Sequence, residues 1–559
     1  MTNYPHVISL PNLNSLSLEA LVAQMVVIRA SGYLFDHQIQ YPMWEPPASK
    51  LQHWIQDLGV GGVILLGGSA PELKLRSQLL QSWANIPLLI AADIEEGVGQ
   101  RFPGATWFPP PMAIGAVALK DMAKAQQYAQ EMGKVTATEA LAIGINWILA
   151  PVVDVNNNPE NPVINVRAFG ETPETVSQLA CAFIRGTQDY PVLTTAKHFP
   201  GHGDTATDSH LDLPILPHSR SRLHQIELPP FQAAISAGVD TVMTAHLLIP
   251  SLDAQYPATL SQGVLTDLLR QELGFEGLIV TDALIMGAIA KRCCEAQIAN
   301  RYGGDEAAVM AVEAGADILL MPLNPETAIQ AICDAVKMGR ISHERILSSV
   351  KRIWQAKSKV MDSFPLNSTT ENFLQKVAQP LAVTTANHIL LDSLKIGGSL
   401  PLATSPTHSN VQLRNLILVD DVLACDFLGR NAPAIDIPKQ LGYKLQWLDR
   451  HTLPTTDDTD HLPGSQPTLL QLFIRGNPFR GTAGMMVAAE IWVKKLLKNH
   501  DFQALAIYGS PYILAQLLRD LPPQVPYFYS YGQMPEAQAI AMNLLFSQTT
   551  PGSGLTEFI

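Results

Sequence analysis

Cysteine is scarce in this chain. The 559 residues hold 5, an odd number, with Cys293 and Cys294 adjacent and the rest scattered. That is neither a disulfide framework nor a zinc ligand set, and it fits a reducing compartment. Positive charge is short as well. Lys and Arg number 37 against 50 Asp and Glu, a formal net charge of -13, which argues against nucleic acid or an acidic membrane as partner. No run approaches the roughly 20 apolar residues of a membrane span. Residues 1–18 contain no Lys or Arg and no uninterrupted apolar core, so no signal peptide is expected and the protein is read as cytoplasmic. Internal repeats and low-complexity tracts are also missing. What is present is apolar: 47% hydrophobic against 16% charged residues, enough for a large core in a chain long enough for two domains.

The first two-thirds alternates short β-branched apolar runs with helical patterns. Strands are expected at 25–28, 63–66, 88–91, 147–152, 192–196, 241–245, 278–281 and 318–321. Each is nearly all apolar and bounded by glycine, proline or polar residues, as in parallel strands buried on both faces. Helical stretches at 121–142, 173–185, 264–273 and 306–313 lie between them. Eight strand–helix units predict a (β/α)₈ TIM-like barrel over residues 1–362. An open doubly wound sheet gives similar local signals, so the number of strands carries this reading. A polar stretch and a linking helix at 371–379 make 363–386 a linker. A second αβ series from 387 to 559, with strands at 416–419, 444–448, 470–474, 504–508 and 527–530, predicts a smaller three-layer αβα sandwich.

A closed parallel barrel opens all its strand C-termini on one face, where its chemistry sits. The residues leaving these strands are ionisable: Asp93 after the third, Asp154 after the fourth, Lys197 and His198 from the fifth, His246 after the sixth and Asp282 after the seventh. One such residue means little, because a strand end often meets water. Five in one barrel indicate a site. The densest segment is KHFPGHGDTATDSH, residues 197–210. Its His198, His202, Asp204, Asp208 and His210 are metal-ligand types, yet no helical ligand spacing accompanies them. The loop can also be purely structural. A third reading is proton transfer, in which Asp208 holds one imidazole nitrogen of His210 and raises the basicity of the other. Asp282, just past an apolar strand, is either a rigidly held nucleophile or the N-cap of a following helix.

The segments KHFPGHGDT (197–205) and DSH (208–210), with GFEGLIVTDALIM (274–286), resemble the signatures of bacterial β-N-acetylglucosaminidases of glycoside hydrolase family 3. So do APVVDV (150–155), NPVI (161–164) with RAFG (167–170), and PATLS (257–261), all in the family's order. The resemblance implies a barrel enzyme releasing terminal β-linked N-acetylglucosamine with retention. In it Asp282 is the nucleophile, His210 the acid/base and Asp208 its dyad partner. Asp93, Arg101, Arg167, Lys197 and His198 would hold the sugar, and His246 would line the pocket. No cofactor and no metal are implied. The partner would be a small sugar, either an N-acetylglucosamine-containing oligosaccharide or a muropeptide from peptidoglycan turnover. After Asp93 the chain departs from the family: Glu96 and Val98 stand where glycine and arginine are usual, although Asp93 and Arg101 keep their spacing. Three other readings compete: a β-glucosidase of the same family, a catalytically inactive sugar-binding barrel, and a metal-dependent hydrolase. A histidine acid/base, unlike a carboxylate, does not repel phosphate, so a partial phosphorylase activity is a further expectation.

Overall fold

A computed structural model describes residues 10–206, 213–286, 289, 305–361, 373–402, 412–451, 466–475 and 483–546. The chain divides into two compact units. The first comprises 1–108, 122–161 and 168–383, and the second 109–121, 162–167 and 384–559.

In the first unit the apolar runs become eight parallel strands: β1 Val26–Ser31, β2 Gly62–Leu66, β3 Leu89–Ala92, β4 Trp147–Ile148, β5 Leu193–Phe199, β6 Thr241–Thr244, β7 Leu278–Val280 and β8 Leu319–Leu320. Their order is β7-β6-β5-β4-β3-β2-β1-β8. The barrel closes where Val280 bridges Ile318, supported by Thr281 N–H to the Ile318 carbonyl at 3.0 Å and Asp317 N–H to the Ile279 carbonyl at 2.7 Å. The interior is packed rather than hollow. Trp147 is fully buried and donates its indole N–H to Thr195 Oγ1 at 2.9 Å.

Two strands reach no more than half the length of their apolar runs. The run 147–152 ends its strand at Ile148, because Pro151 has no N–H to give a ladder; Val152 makes only an isolated bridge to Lys197. At the eighth, Met321 turns to a positive φ of 49° and leaves the strand. The stretch expected as a helix at 264–273 is wound as a π-helix, Gly263–Glu272.

The covering helices start where the sequence provides caps. Thr172 accepts from Thr175 N–H before Pro173–Thr187, and the Asn324 side chain accepts from Glu326 and Thr327 before Pro325–Lys337. Helices Met122–Ile143 and Pro173–Thr187 cross on glycine. A Cβ on Gly133 would lie 2.2 Å from the Phe183 carbonyl oxygen, and one on Gly186 2.1 Å from that of Gln130, so only hydrogen fits between these backbones. At the N-terminal end of the barrel, buried Asp317 binds Arg270 at 2.7 Å and Arg352 at 3.1 Å, a structural cluster on the face opposite the strand C-termini.

The second unit is built on a six-stranded sheet ordered β11-β10-β12-β13-β14-β9. Strands β10 Leu413–Val419, β11 Tyr443–Leu448, β12 Thr468–Ile474, β13 Phe502–Gly509 and β14 Tyr527–Ser530 are parallel. Strand β9, Lys395–Gly397, pairs antiparallel with β14 and was not expected from sequence. Helices Pro433–Gln440, Ala483–Lys498, Pro511–Leu517 and Pro535–Phe546 flank the sheet in a three-layer arrangement. Among the described residues no helix is long and apolar enough to cross a membrane. Described Cys181 and Cys333 are free thiols, whereas Cys293 and Cys294 lie outside the described residues.

Candidate active site

Strand β3 delivers Asp93 to the C-terminal mouth of the barrel, and β5 carries Lys197. Strand β4 runs between them, yet the long lysine spans it. Its Nζ lies 2.7 Å from Asp93 Oδ1 and 2.7 Å from Glu95 Oε1. Lys197 and Glu95 are buried, while the Asp93 side chain stays 36% exposed and faces the mouth. One cation thus holds two carboxylates, leaving the trio one negative charge in excess. Arg101 donates its Nε to the Asp93 carbonyl at 3.1 Å, so the retained spacing of these two residues is a physical contact. Where the loop departs from the family, Glu96 is fully buried and accepts the Trp107 indole N–H at 3.0 Å.

The loop after β5 is organised around Asp154, which is completely buried. Its carboxylate accepts the His198 N–H at 3.1 Å, His198 Nδ1 at 2.8 Å and the His202 N–H at 2.7 Å. Burial works to raise the Asp154 carboxyl, but the His198 imidazole and these hydrogen bonds outweigh it and hold the group below the usual carboxylate range. With Nδ1 engaged, His198 has Nε2 as its other ring nitrogen. Burial pushes the His202 imidazole down to about 4, so it is neutral near pH 7. Nearby Asp282 acts on it in the opposite direction, which ties this loop electrostatically to the end of β7.

At that end a short relay fixes the backbone. Thr244 Oγ1 accepts the Asp282 N–H at 3.3 Å, and Asp282 Oδ1 accepts the Ala283 N–H at 2.8 Å. His246 is fully buried. Its Nδ1 meets Thr259 Oγ1 at 2.7 Å and its Nε2 donates to the Ala283 carbonyl at 3.0 Å. Expected at the pocket wall, His246 has both ring nitrogens bound to protein. Residues 283–286 form a turn, Met286 N–H to the Ala283 carbonyl at 3.0 Å, where the capping alternative needs the first turn of a helix.

Asp204 is held by other side chains. It binds His218 Nε2 at 2.8 Å and Arg222 Nη2 at 3.1 Å. Asp204, His218 and Glu227 offer ligand atoms within 4.8 Å of one another. Arg222 also reaches Glu227, at 3.3 Å; a guanidinium already bridges the two carboxylates a cation would use. Arg167 ends a turn, Asn165–Arg167, in the second compact unit, where its Nη1 donates to the Val163 carbonyl at 3.1 Å. Asp208 and His210 lie outside the described residues.

Sequence reasoning assigned no role to Glu95, Asp154, Thr244 or Thr259. Asp154 was noted as a strand end, and Glu95 sits two residues past Asp93. Thr244 gives no signal, since a hydroxyl in an apolar strand is indistinguishable from packing; Thr259 lies inside the PATLS segment, which points to no single residue.

Residues 17–356 match the family described as the glycosyl hydrolase family 3 N terminal domain, and residues 406–547 the bacterial glycosyl hydrolase family 3 C-terminal domain. The chain belongs to glycosyl hydrolase family 3. It is 34% identical over 411 residues to beta-hexosaminidase A of Pseudoalteromonas piscicida, an alignment spanning 67% of this chain and 65% of that protein. It is 39% identical over 277 residues to a beta-hexosaminidase of Alkalilimnicola ehrlichii, across 49% of this chain and 76% of the other. A solved family 3 beta-N-acetylglucosaminidase from Paenibacillus sp. superposes with a TM-score of 0.76 at 31% identity, covering 96% of this chain and 98% of that one.

Proposed function

We propose that this protein is a retaining, exo-acting glycosidase that releases terminal β-linked N-acetylglucosamine by double displacement. The observation that carries the reading is the gathering of Asp93, Lys197, His198 and Asp282 at the C-terminal mouth of one barrel, the face on which such folds place their chemistry. The names of the relatives above support the choice of sugar.

Asp282 attacks the anomeric carbon from a backbone held by Thr244 and His246. His210, oriented by Asp208, protonates the departing oxygen and then activates the water that releases the sugar with retained configuration. General acid–base help of this kind is worth roughly 10² to 10⁴ in rate. Asp93 and Arg101 offer a carboxylate and a forked cation to sugar hydroxyls, charge-assisted contacts stronger than neutral ones. His198 adds its Nε2, and Arg167 is assigned to the same sugar by its motif alone. Lys197, buried between two carboxylates, keeps Asp93 aimed. His246 acts on the sugar through Asp282 rather than by touching it.

Two measurements test this. The rates on p-nitrophenyl β-N-acetylglucosaminide and β-glucoside separate the proposal from the β-glucosidase reading, and no turnover of either leaves the inactive sugar-binding barrel. A slowly released 2-deoxy-2-fluoro or 5-fluoro glycoside should label Asp282, and Asp282→Asn should abolish turnover. Label on any other carboxylate overturns the assignment. The natural substrate class we propose is a short N-acetylglucosamine oligosaccharide or a muropeptide.

A further inference from the structure

One buried carboxylate, Glu139, ties two distant segments of the chain together. It sits in the helix Met122–Ile143 and is 1% exposed. Thr106 donates to it twice, N–H to Oε2 at 2.9 Å and Oγ1 to Oε1 at 2.6 Å. Ala378 donates its N–H to the same Oε1 at 2.8 Å. Burial raises the Glu139 carboxyl above its ordinary range, and these three bonds oppose that rise. Ala378 follows the barrel in a segment where Phe373 and Val377 are buried. With donors on both sides, the carboxylate cannot turn toward one segment without losing the other.

Thr106 leads back to the sugar-holding loop. Its carbonyl accepts the Gly99 N–H at 2.8 Å, and the Phe108 N–H bonds the Glu96 carbonyl at 2.8 Å. The two limbs of this loop meet backbone to backbone. A Cβ on Gly99 would stand 2.6 Å from the Thr106 carbonyl carbon, and one on Gly97 2.8 Å from its oxygen. Gly99 lies in the turn Val98–Gln100, which Arg101 closes with its N–H on the Val98 carbonyl at 3.2 Å. Thr106 is buried, whereas Arg101 is exposed and reaches the Asp93 carbonyl. A shift of the Thr106 peptide therefore passes through Gly99 to Arg101, with no side-chain rotamer between them to absorb it.

We infer that Glu139 is a positioning residue that sets Arg101 for the sugar, acting through the Thr106 peptide and not by touching the ligand. The inference rests on the proposed glycosidase reading and adds what aims one of its sugar contacts. Only a carboxylate serves both segments. A glutamine would turn its NH₂ toward either the Thr106 N–H or the Ala378 N–H, leaving one backbone donor facing another.

The test is a double-mutant cycle read in kcat/KM on p-nitrophenyl β-N-acetylglucosaminide, with the melting temperature beside it. Glu139→Gln should lower kcat/KM roughly tenfold, chiefly through KM, the scale of one misdirected charge-assisted hydrogen bond. Thr106→Val, which loses only the hydroxyl, should lower it about threefold, and Thr106→Ser should match the wild type. In an Arg101→Ala background both losses should shrink below about twofold, while the drop in melting temperature caused by Glu139→Gln persists. A loss of the same factor with and without Arg101, or a change in melting temperature alone, overturns the inference. Should Glu139→Gln fail to fold, the Thr106→Val cycle decides the question by the same criterion. Wild-type turnover of the glycoside leaves the glycosidase reading standing in either case. Its absence overturns that reading, and the inference with it.

Discussion

His246 Nε2 donates to the carbonyl oxygen of Ala283 at 3.0 Å, and the N–H of the same Ala283 donates to Asp282 Oδ1 at 2.8 Å. The imidazole of one strand end thereby sets the peptide that follows the carboxylate of the next. A nucleophile displaced by an ångström can lose on the order of 10² in rate. His246→Ala is therefore expected to lower kcat about a hundredfold with little change in KM, and His246→Gln, which keeps a donor near the carbonyl, to recover part of it. A raised KM at unchanged kcat would make His246 a sugar contact instead.

Removing the Lys197 charge leaves buried Glu95 beside Asp93 with no cation between them. Breaking a buried pair from one side typically costs about 3–5 kcal/mol. Lys197→Met should lower the melting temperature and raise KM. Lys197→Met with Glu95→Gln should regain most of the stability but not the sugar affinity. Recovery of both would mean that Lys197 acts on stability alone.

Acid sensitivity should trace to His202. Its folded value is about 4 against an ordinary 6.5, so between those pH values the unfolded chain binds the extra proton and stability falls as pH falls. The loss approaches about 3 kcal/mol by pH 4. His202→Asn should flatten the melting temperature between pH 6.5 and 4 relative to wild type, and an unchanged slope would exclude this group as the cause.

Lys357 behaves differently. Burial pushes its amine down to about 7 from 10.5, and its Nζ bonds Gln24 Oε1 at 2.6 Å. Between pH 7 and 10.5 the unfolded chain holds more protons, so this residue's contribution to stability improves as pH rises, while below 7 its full cost is present. Lys357→Met should be the more stable protein at pH 6, by about 2 kcal/mol once the lost Gln24 contact is subtracted. Its advantage should shrink toward pH 10. A constant difference across that range would show that the lysine does not change charge there.

Gly203 sets the course of the loop after β5. A Cβ there would stand 1.7 Å from the Val155 carbonyl oxygen, a backbone atom that cannot move aside without shifting the Asp154 segment. Gly203→Ala should reduce activity at least tenfold and lower the melting temperature. A wild-type melting temperature in this variant would contradict the predicted clash.

The barrel was legible in the sequence because a strand buried on both faces must be apolar throughout. Eight such runs separated by helical periods left few other folds. Strand lengths were less legible: the apolar run from Trp147 continues through Pro151, and only the missing N–H and the path of the chain end the strand at Ile148. Strand β9 was missed because Lys395–Gly397 has no burial pattern of its own and becomes a strand only by pairing with β14. In the site, Asp93 stands out as a strand end and Arg101 only through the family resemblance, whereas Glu95 looks like one more acid in a loop until Lys197 is seen to reach it.

The order of residues alone determined which carboxylates, imidazoles and cations stand at strand ends, because strand periodicity and barrel topology follow from local patterns of apolar and polar side chains. Tertiary structure alone decided their partners: that Lys197 divides itself between Asp93 and Glu95, that Asp154 gathers two histidines, and that His246 turns to backbone. Those choices depend on distances between residues as much as 104 positions apart, and no local pattern encodes a distance across a barrel.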